Sequence, residues 1–202
     1  FSFDLLQKLE SYLKDQGIKT YPVHIEIETG MNRLGFAVSE AAPLAKHIAG
    51  VSIFQIQSVF SHLAASEDPS QDNFTLQQGL LFNEAIQTMR QYIRYPFLRH
   101  ISNSAAIVRH PQLQMDMVRL GIGLYGVEAD NNDQLDLIPV ATLRSTIAQL
   151  KHIKKGESVS YNRKGVVNRN SVIATVRIGY ADGFSRQFGN GAGKMLVNGK
   201  LA

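Results

Sequence analysis

The 202-residue chain is 44% hydrophobic and 19% charged, a globular composition with enough apolar material for one large domain or two small ones. It has no run of about eighteen apolar residues, which excludes a membrane-spanning helix, and its amphipathic, acid-containing start is unlike a signal peptide. Lack of cysteine removes disulfides and thiolate metal sites and fits a reducing cytoplasm; a net charge of +4 in short clusters (Lys151, Lys154, Lys155; Arg163, Lys164) argues against nucleic acid.

Leu5, Leu6, Leu9, Tyr12 and Leu13 recur at helical spacing, and Gly17 stops that helix. Residues 23–28 alternate apolar and polar, a strand pattern. Ser39 and Glu40 open a second helix that ends at Gly50. Residues 53–60 read as strand and 66–71 as a polar, Pro-containing loop. Asp72 is placed to cap a long helix reaching about Ile93. A short strand over 98–102, a brief helix over 105–108 and a strand-like stretch over 121–127 complete the first region.

This alternation predicts parallel strands with crossover helices. About four βα units amount to half of a (β/α)8 TIM-type barrel, which closes with eight strands. Residues 1–127 are therefore expected to be α/β, a partial barrel. Residues 128–136, rich in Asp and Asn, read as a linker. From 137 to 202 the pattern becomes all-β, with runs at 140–147, 157–160, 172–178 and 195–197 and a two-residue hairpin signal at Asn198-Gly199.

Gly121-Ile122-Gly123-Leu124-Tyr125-Gly126 matches a dinucleotide fingerprint formally, but an Asp/Asn linker follows it where a helix should be. Its glycines still let backbone N–H groups approach a phosphate. Gly193-Lys194 lacks the rest of a phosphate loop, and no histidine pair has the helical zinc spacing, so no metal site is expected. Three stretches carry chemistry: residues 28–36, just past a strand end and including Arg33; Asn103-Ser104-Ala105-Ala106, opening a helix whose free N–H groups suit phosphate; and residues 178–183, which include Tyr180. An ordinary turn or helix cap would explain each of them taken singly.

Together they gain meaning. Glu28-Thr29-Gly30-Met31-Asn32-Arg33-Leu34-Gly35, Ser61-His62-Leu63-Ala64, Asn103-Ser104-Ala105-Ala106, Val118-Arg119-Leu120-Gly121-Ile122, and Ser160-Tyr161 followed by Ile178-Gly179-Tyr180-Ala181-Asp182-Gly183 occur in the order found in alanine racemases, which the chain resembles over nearly its whole length. The resemblance implies a barrel that binds pyridoxal 5'-phosphate at the C-terminal ends of its strands, followed by a β domain. It also implies a bacterial cytoplasmic homodimer with shared active sites, interconverting L- and D-alanine and supplying D-alanine for peptidoglycan. Neither a nucleic acid nor a membrane is expected as partner.

The resemblance also implies residue roles. Racemisation needs a proton removed from one face of Cα and another delivered to the opposite face. Tyr161 matches the family's tyrosine base, which acts from the partner subunit. An ordinary phenol titrates at about 10, so such a base needs activation. His62 and Arg119 match residues near it. Arg119 also matches the arginine facing the pyridine nitrogen, where the related decarboxylases carry glutamate. Ser104, Gly121 and Ile122 match the phosphate cradle, supported by Asn103. Arg33 matches the arginine reaching the cofactor's phenolic oxygen and the substrate carboxylate, and Tyr180 a tyrosine lining substrate access.

The sequence departs from the family in places. Glu26 stands where many relatives have a carbamylated lysine, and a direct Glu26–Arg33 pairing is expected to replace the carbamate. Leu120 and Asn32 replace a common proline and glycine, and Asn162-Arg163-Lys164-Gly165 after Tyr161 is atypical. The family's Schiff-base lysine lies upstream of these residues, and the end of the β domain lies downstream. The chain by itself is therefore expected to be inactive and, with unpaired strand edges, aggregation-prone. A racemase acting on serine or another amino acid, a non-catalytic pyridoxal-phosphate module and an interaction domain are the rival readings.

Overall fold

A computed structural model describes residues 1–128 and 136–202, which form two compact units, Phe1–Ala141 and Thr142–Ala202. Most of the expected 128–136 linker lies outside the described residues.

The first unit is α/β. Helix α1 (Phe3–Asp15) is capped by Ser2, whose Oγ accepts from Leu5 N, and it buries Leu6 and Leu13. Four parallel strands, β1 (Tyr21–Glu28), β2 (Phe36–Ala37), β3 (Phe54–Phe60) and β4 (Leu98–His100), form one sheet in the order β2-β1-β3-β4. Between them run α2 (Ala41–Val51) and α3 (Asp72–Arg90), and α4 (Ser104–Arg109) follows β4. Ile25 and Ile27 on β1, with Ile56 and Val59 on β3, bury with Leu44 and Ile48 of α2 and Phe82, Ile86 and Met89 of α3 in one core.

The register slips between Val23 and His24: Val23 pairs with Ile56, but His24 pairs with Ser58. The bulge lets Ile56 and Val59, three residues apart, follow Val23 and Ile25 onto the same face. The opposite face then receives His24, Glu26, Ser58, Phe60 and His100, since Glu26 pairs with Phe60 and Phe60 with His100. A polar row is thereby set across three strands of an otherwise apolar sheet.

Several expectations are corrected. Asp72 does not cap α3: the N-cap is Gln71, without a side-chain bond, and the Asp72 carboxylate accepts from Arg109 at 2.9 Å. Residues 121–127 are not a strand. They hold a 3₁₀ turn, Ile122–Tyr125, closed by Leu124 N→Gly121 O and Gly126 N→Gly123 O bonds. Gly126 then takes φ +76°, and a Cβ there would stand 2.3 Å from Ile138 O. The fourth strand of the sheet is instead β2, which pairs Ile27 with Phe36.

The second unit is all-β. Strand β5 (Ile147–Ile153) pairs antiparallel with β8 (Ser171–Val176), and β6 (Ser158–Val159) with β7 (Gly165–Val166). The strand expected over 140–147 begins only at Ile147, because Val140 N bonds to Tyr125 O in the first unit. The predicted hairpin is present: β9 (Leu196–Val197) meets β10 (Lys200–Leu201) around Asn198 (φ +49°) and Gly199 (φ +76°). Among the described residues no helix is long and apolar enough to cross a membrane.

Candidate active site

The polar row is organised around Arg119. Its backbone N–H bonds to Ser102 O at 3.0 Å, and the loop before it is clamped to β4 by a forked pair, Arg99 Nε and NH2 on the two Asp116 oxygens at 2.7 and 2.8 Å. The Arg119 guanidinium donates to Ser61 O (2.7 Å), Ile101 O (3.3 Å) and His100 O (3.3 Å). It also meets His100 Nδ1 (2.5 Å) and His62 Nδ1 (3.3 Å). Its Cζ lies 5.4 Å from the centre of the Phe60 ring, which stacks flat on His100.

A guanidinium only donates, so it fixes the tautomers of both imidazoles. His100 Nδ1 accepts, its Nε2–H donates to Ser58 Oγ at 3.0 Å, and Ser58 Oγ shares a further hydrogen bond with His24 Nδ1 at 2.7 Å. His62 likewise accepts at Nδ1 and keeps a proton on Nε2. Burial, then Arg119 and His24, push His100 down to about 4. Burial, then Arg119 and Arg33, also lower His62. Burial lowers Arg119 itself, against the opposing pull of Glu26.

Ser104 opens α4, and its Oγ accepts from Gly121 N at 2.8 Å and Gly123 N at 3.2 Å. Of the expected cradle, Ser104 and Gly121 are brought together, and the second donor is Gly123 of the same glycine-containing turn; Ile122 makes no hydrogen bond to Ser104. Asn103 caps α4 by accepting from Ala106 N at 3.1 Å, and Ser66 Oγ donates to the same oxygen at 2.8 Å. Arg109 ties this end to the neighbouring helix through Ser66 O (2.7 Å) and Asp72 (2.9 Å).

Arg33 is exposed in the loop after β1, whose turn is pinned by Glu28. Burial alone would raise the Glu28 carboxyl, but backbone N–H groups of Asn32, Gly30, Arg33 and Met31 outweigh it and hold the group low. Among the described residues no Glu26–Arg33 ion pair forms; Glu26 acts electrostatically on Arg119 instead. Register explains the correction, because Glu26 lies in the polar row opposite Phe60, whose ring Arg119 covers. Tyr161 and Tyr180 belong to the second unit and are 91% and 78% exposed. Tyr161 starts a turn in which Ser160, Asn162 and Arg163 all have positive φ, and Tyr180 packs against the Arg186 guanidinium.

Pyridoxal phosphate would require donors converging on a point for its phosphate and a fixed charge for its ring. The Gly121 and Gly123 N–H groups converge on Ser104 Oγ, and Arg119 is a cation held by carbonyls and imidazoles, so these residues fit the group.

Comparison with known proteins places the chain. The family described as "Alanine racemase, N-terminal domain" matches residues 1–129 and "Alanine racemase, C-terminal domain" matches residues 140–202. "Alanine racemase 1" of Clostridium acetobutylicum is 36% identical over 207 residues, covering 100% of the chain and 53% of that relative. An alanine racemase of Synechocystis is 39% identical over 175 residues, covering 85% and 46%. The solved alanine racemase of Streptomyces lavendulae superposes with a TM-score of 0.87 at 29% identity, covering 98% of the chain and 53% of its own. That of Bartonella henselae, solved with covalently bound pyridoxal phosphate, gives 0.75 at 27% identity, covering 93% and 50%. The chain spans about half the length of these relatives. Their fold, a (β/α)8 barrel followed by a β domain, is the one it shares in part, and the chain belongs to the alanine racemase family.

Proposed function

We propose that the protein carrying these residues is a pyridoxal-phosphate-dependent alanine racemase, a cytoplasmic bacterial enzyme that interconverts L- and D-alanine and supplies D-alanine to peptidoglycan. The observation that carries this reading is the fixed cation: Arg119 sits among two carbonyl-bearing strand ends and two imidazoles, two residues along the chain from the Ser104–Gly121 turn. When bound, pyridoxal phosphate supplies the electron sink that lets an amino-acid Cα proton leave.

In this reading Ser104, Gly121 and Ile122 hold the phosphate, with Asn103 keeping α4 in place. With the cofactor bound, Arg119 would lie toward its ring nitrogen and, as a cation, disfavour protonation there, which a glutamate at that position would favour. Arg33 receives the substrate carboxylate with a planar fork of donors. His62 stays neutral near pH 7 and has its Nε2–H to offer a phenolate, the state Tyr161 must reach to act as a base from the partner subunit of a homodimer. Tyr180 lines substrate access, and Glu26 steadies Arg119.

The test is enantiomer analysis of the full-length protein incubated with pyridoxal phosphate and L-alanine. D-alanine in the product is expected. Turnover of serine or another amino acid in its place would move the substrate assignment, and cofactor binding without any racemisation would leave a carrier.

A further inference from the structure

The active-site loop that holds His62 is clamped by a side chain with no role assigned so far, which meets that loop only at its backbone. Gln78 lies on α3 with no exposed surface. Its Oε1 accepts from Ala64 N at 3.0 Å, and its Nε2 donates both to His62 O at 3.0 Å and to Thr29 Oγ1 at 3.2 Å. An N–H and a carbonyl leave no choice of amide orientation, since Ala64 N only donates and His62 O only accepts. The Thr29 hydroxyl also shares a hydrogen bond with Ser61 Oγ at 2.7 Å, and both residues are buried. One amide therefore grips the 61–64 loop at His62 O and Ala64 N and, through Thr29, joins Ser61 to the loop after β1 that carries Arg33. Ser61 also supplies the carbonyl nearest the Arg119 guanidinium.

We propose that Gln78 is a positioning residue of this active site: it sets the backbone at Ser61 and His62 so that the His62 imidazole stands against Arg119. The proposal rests on the racemase reading only for its kinetic consequence. The geometry demands an amide, because an aliphatic side chain leaves Ala64 N, His62 O and Thr29 Oγ1 without partners, and a carboxylate would oppose the His62 carbonyl.

The test uses the full-length protein loaded with pyridoxal phosphate, comparing Gln78→Met with Gln77→Leu on the exposed side of the same helix. His62 is titrated by NMR of histidine-labelled protein, with Arg119, Arg33 and the Arg119-bound His100 as the charged and titratable groups that act on it. In Gln78→Met the His62 midpoint should rise by about half a pH unit or more, a change of about threefold in proton affinity, as the ring leaves Arg119. The acid limb of kcat/KM should move with it, while kcat falls about tenfold or more with little change in KM. Gln77→Leu should match the unmodified protein in both. If Gln78→Met does not fold, Thr29→Val cuts the same clamp and Thr29→Ser, which keeps the hydroxyl, should restore the native titration. An unchanged His62 midpoint in a folded Gln78→Met or Thr29→Val protein overturns the proposal. Absence of alanine turnover in the unmodified protein would remove the racemase reading and leave the titration to decide the role of Gln78.

Discussion

Arg119 shows how few alternatives a buried cation has. Three carbonyls and two imidazoles accept from it, and each is left short if the fork is replaced. Arg119→Lys keeps the charge but cannot reach Ser61 O, Ile101 O and His100 at once, and each buried acceptor left unpaired costs about 1–3 kcal/mol. Urea unfolding of that variant should show a loss of about 2 kcal/mol or more; a loss near zero would mean that the carbonyls are satisfied otherwise. Thr75 presents the opposite case. It is fully buried on α3, and its hydroxyl has no partner among the described residues. Thr75→Val removes an unpaid polar group at constant shape, so the same measurement should find it neutral or stabilising by about 1 kcal/mol. At this scale the sequence singled out His62, Ser104, Asn103 and Arg119 as candidates, because each sits in a short block with neighbours that resemble a known family. It hid Gln78, Ser58, His24 and His100. A glutamine in Gln77-Gln78 reads as a solvated helix face, and only the tertiary fold turns one of the pair inward.

Elements were legible where local chemistry decides them. Gly17 after α1, at φ +66°, and Asn198-Gly199 between β9 and β10 act through their own backbone, and both appear as expected. Elements decided by distant partners were not. The 121–127 stretch has strand-like side chains, but Gly121 and Gly123 turn their N–H groups to Ser104 and the chain coils into a 3₁₀ turn. Strand β5 lies almost wholly exposed, so apolar runs gave the wrong bounds for it. Gly35 fixes the loop that carries Arg33: its φ is +113°, and a Cβ would stand 2.9 Å from Glu28 N and 3.1 Å from Glu26 O. Both contacts are backbone and cannot yield. Gly35→Ala should therefore lower stability by about 2 kcal/mol or more and weaken substrate binding through Arg33. Full stability in thermal unfolding would show that the loop accepts another conformation.

Over the whole molecule, the alternation of strand and helix revealed an α/β unit followed by a β unit, while the composition of the sheet faces was harder to see. The bulge at Val23/His24 shifts Ser58 and Phe60 to the face of His24 and Glu26, and no periodicity count anticipates a slip of one residue. The buried histidines of that face make stability depend on pH. His100 is held neutral in the fold, with its value lowered from 6.5 to about 4, so unfolding takes up a proton between those limits. Stability is complete above about 6.5 and falls, by up to about 3 kcal/mol, as the pH drops toward about 4. His62 and His110, lowered in the same direction, add to the slope. Urea midpoints from pH 4 to 7 check this, and a His100→Gln variant should flatten the profile.

In the proposed reaction, Arg119 and His62 of one subunit and Tyr161 of the partner subunit serve one face of a two-base proton transfer. It is tested most directly by measuring racemisation of L- and D-alanine, and Cα proton exchange with deuterium oxide, in the full-length protein and its Tyr161→Phe variant. Racemisation in both directions should fall by a factor on the order of a hundred or more, while proton exchange persists from one enantiomer alone through the remaining base. Racemisation that survives in Tyr161→Phe at the unmodified rate would contradict the account.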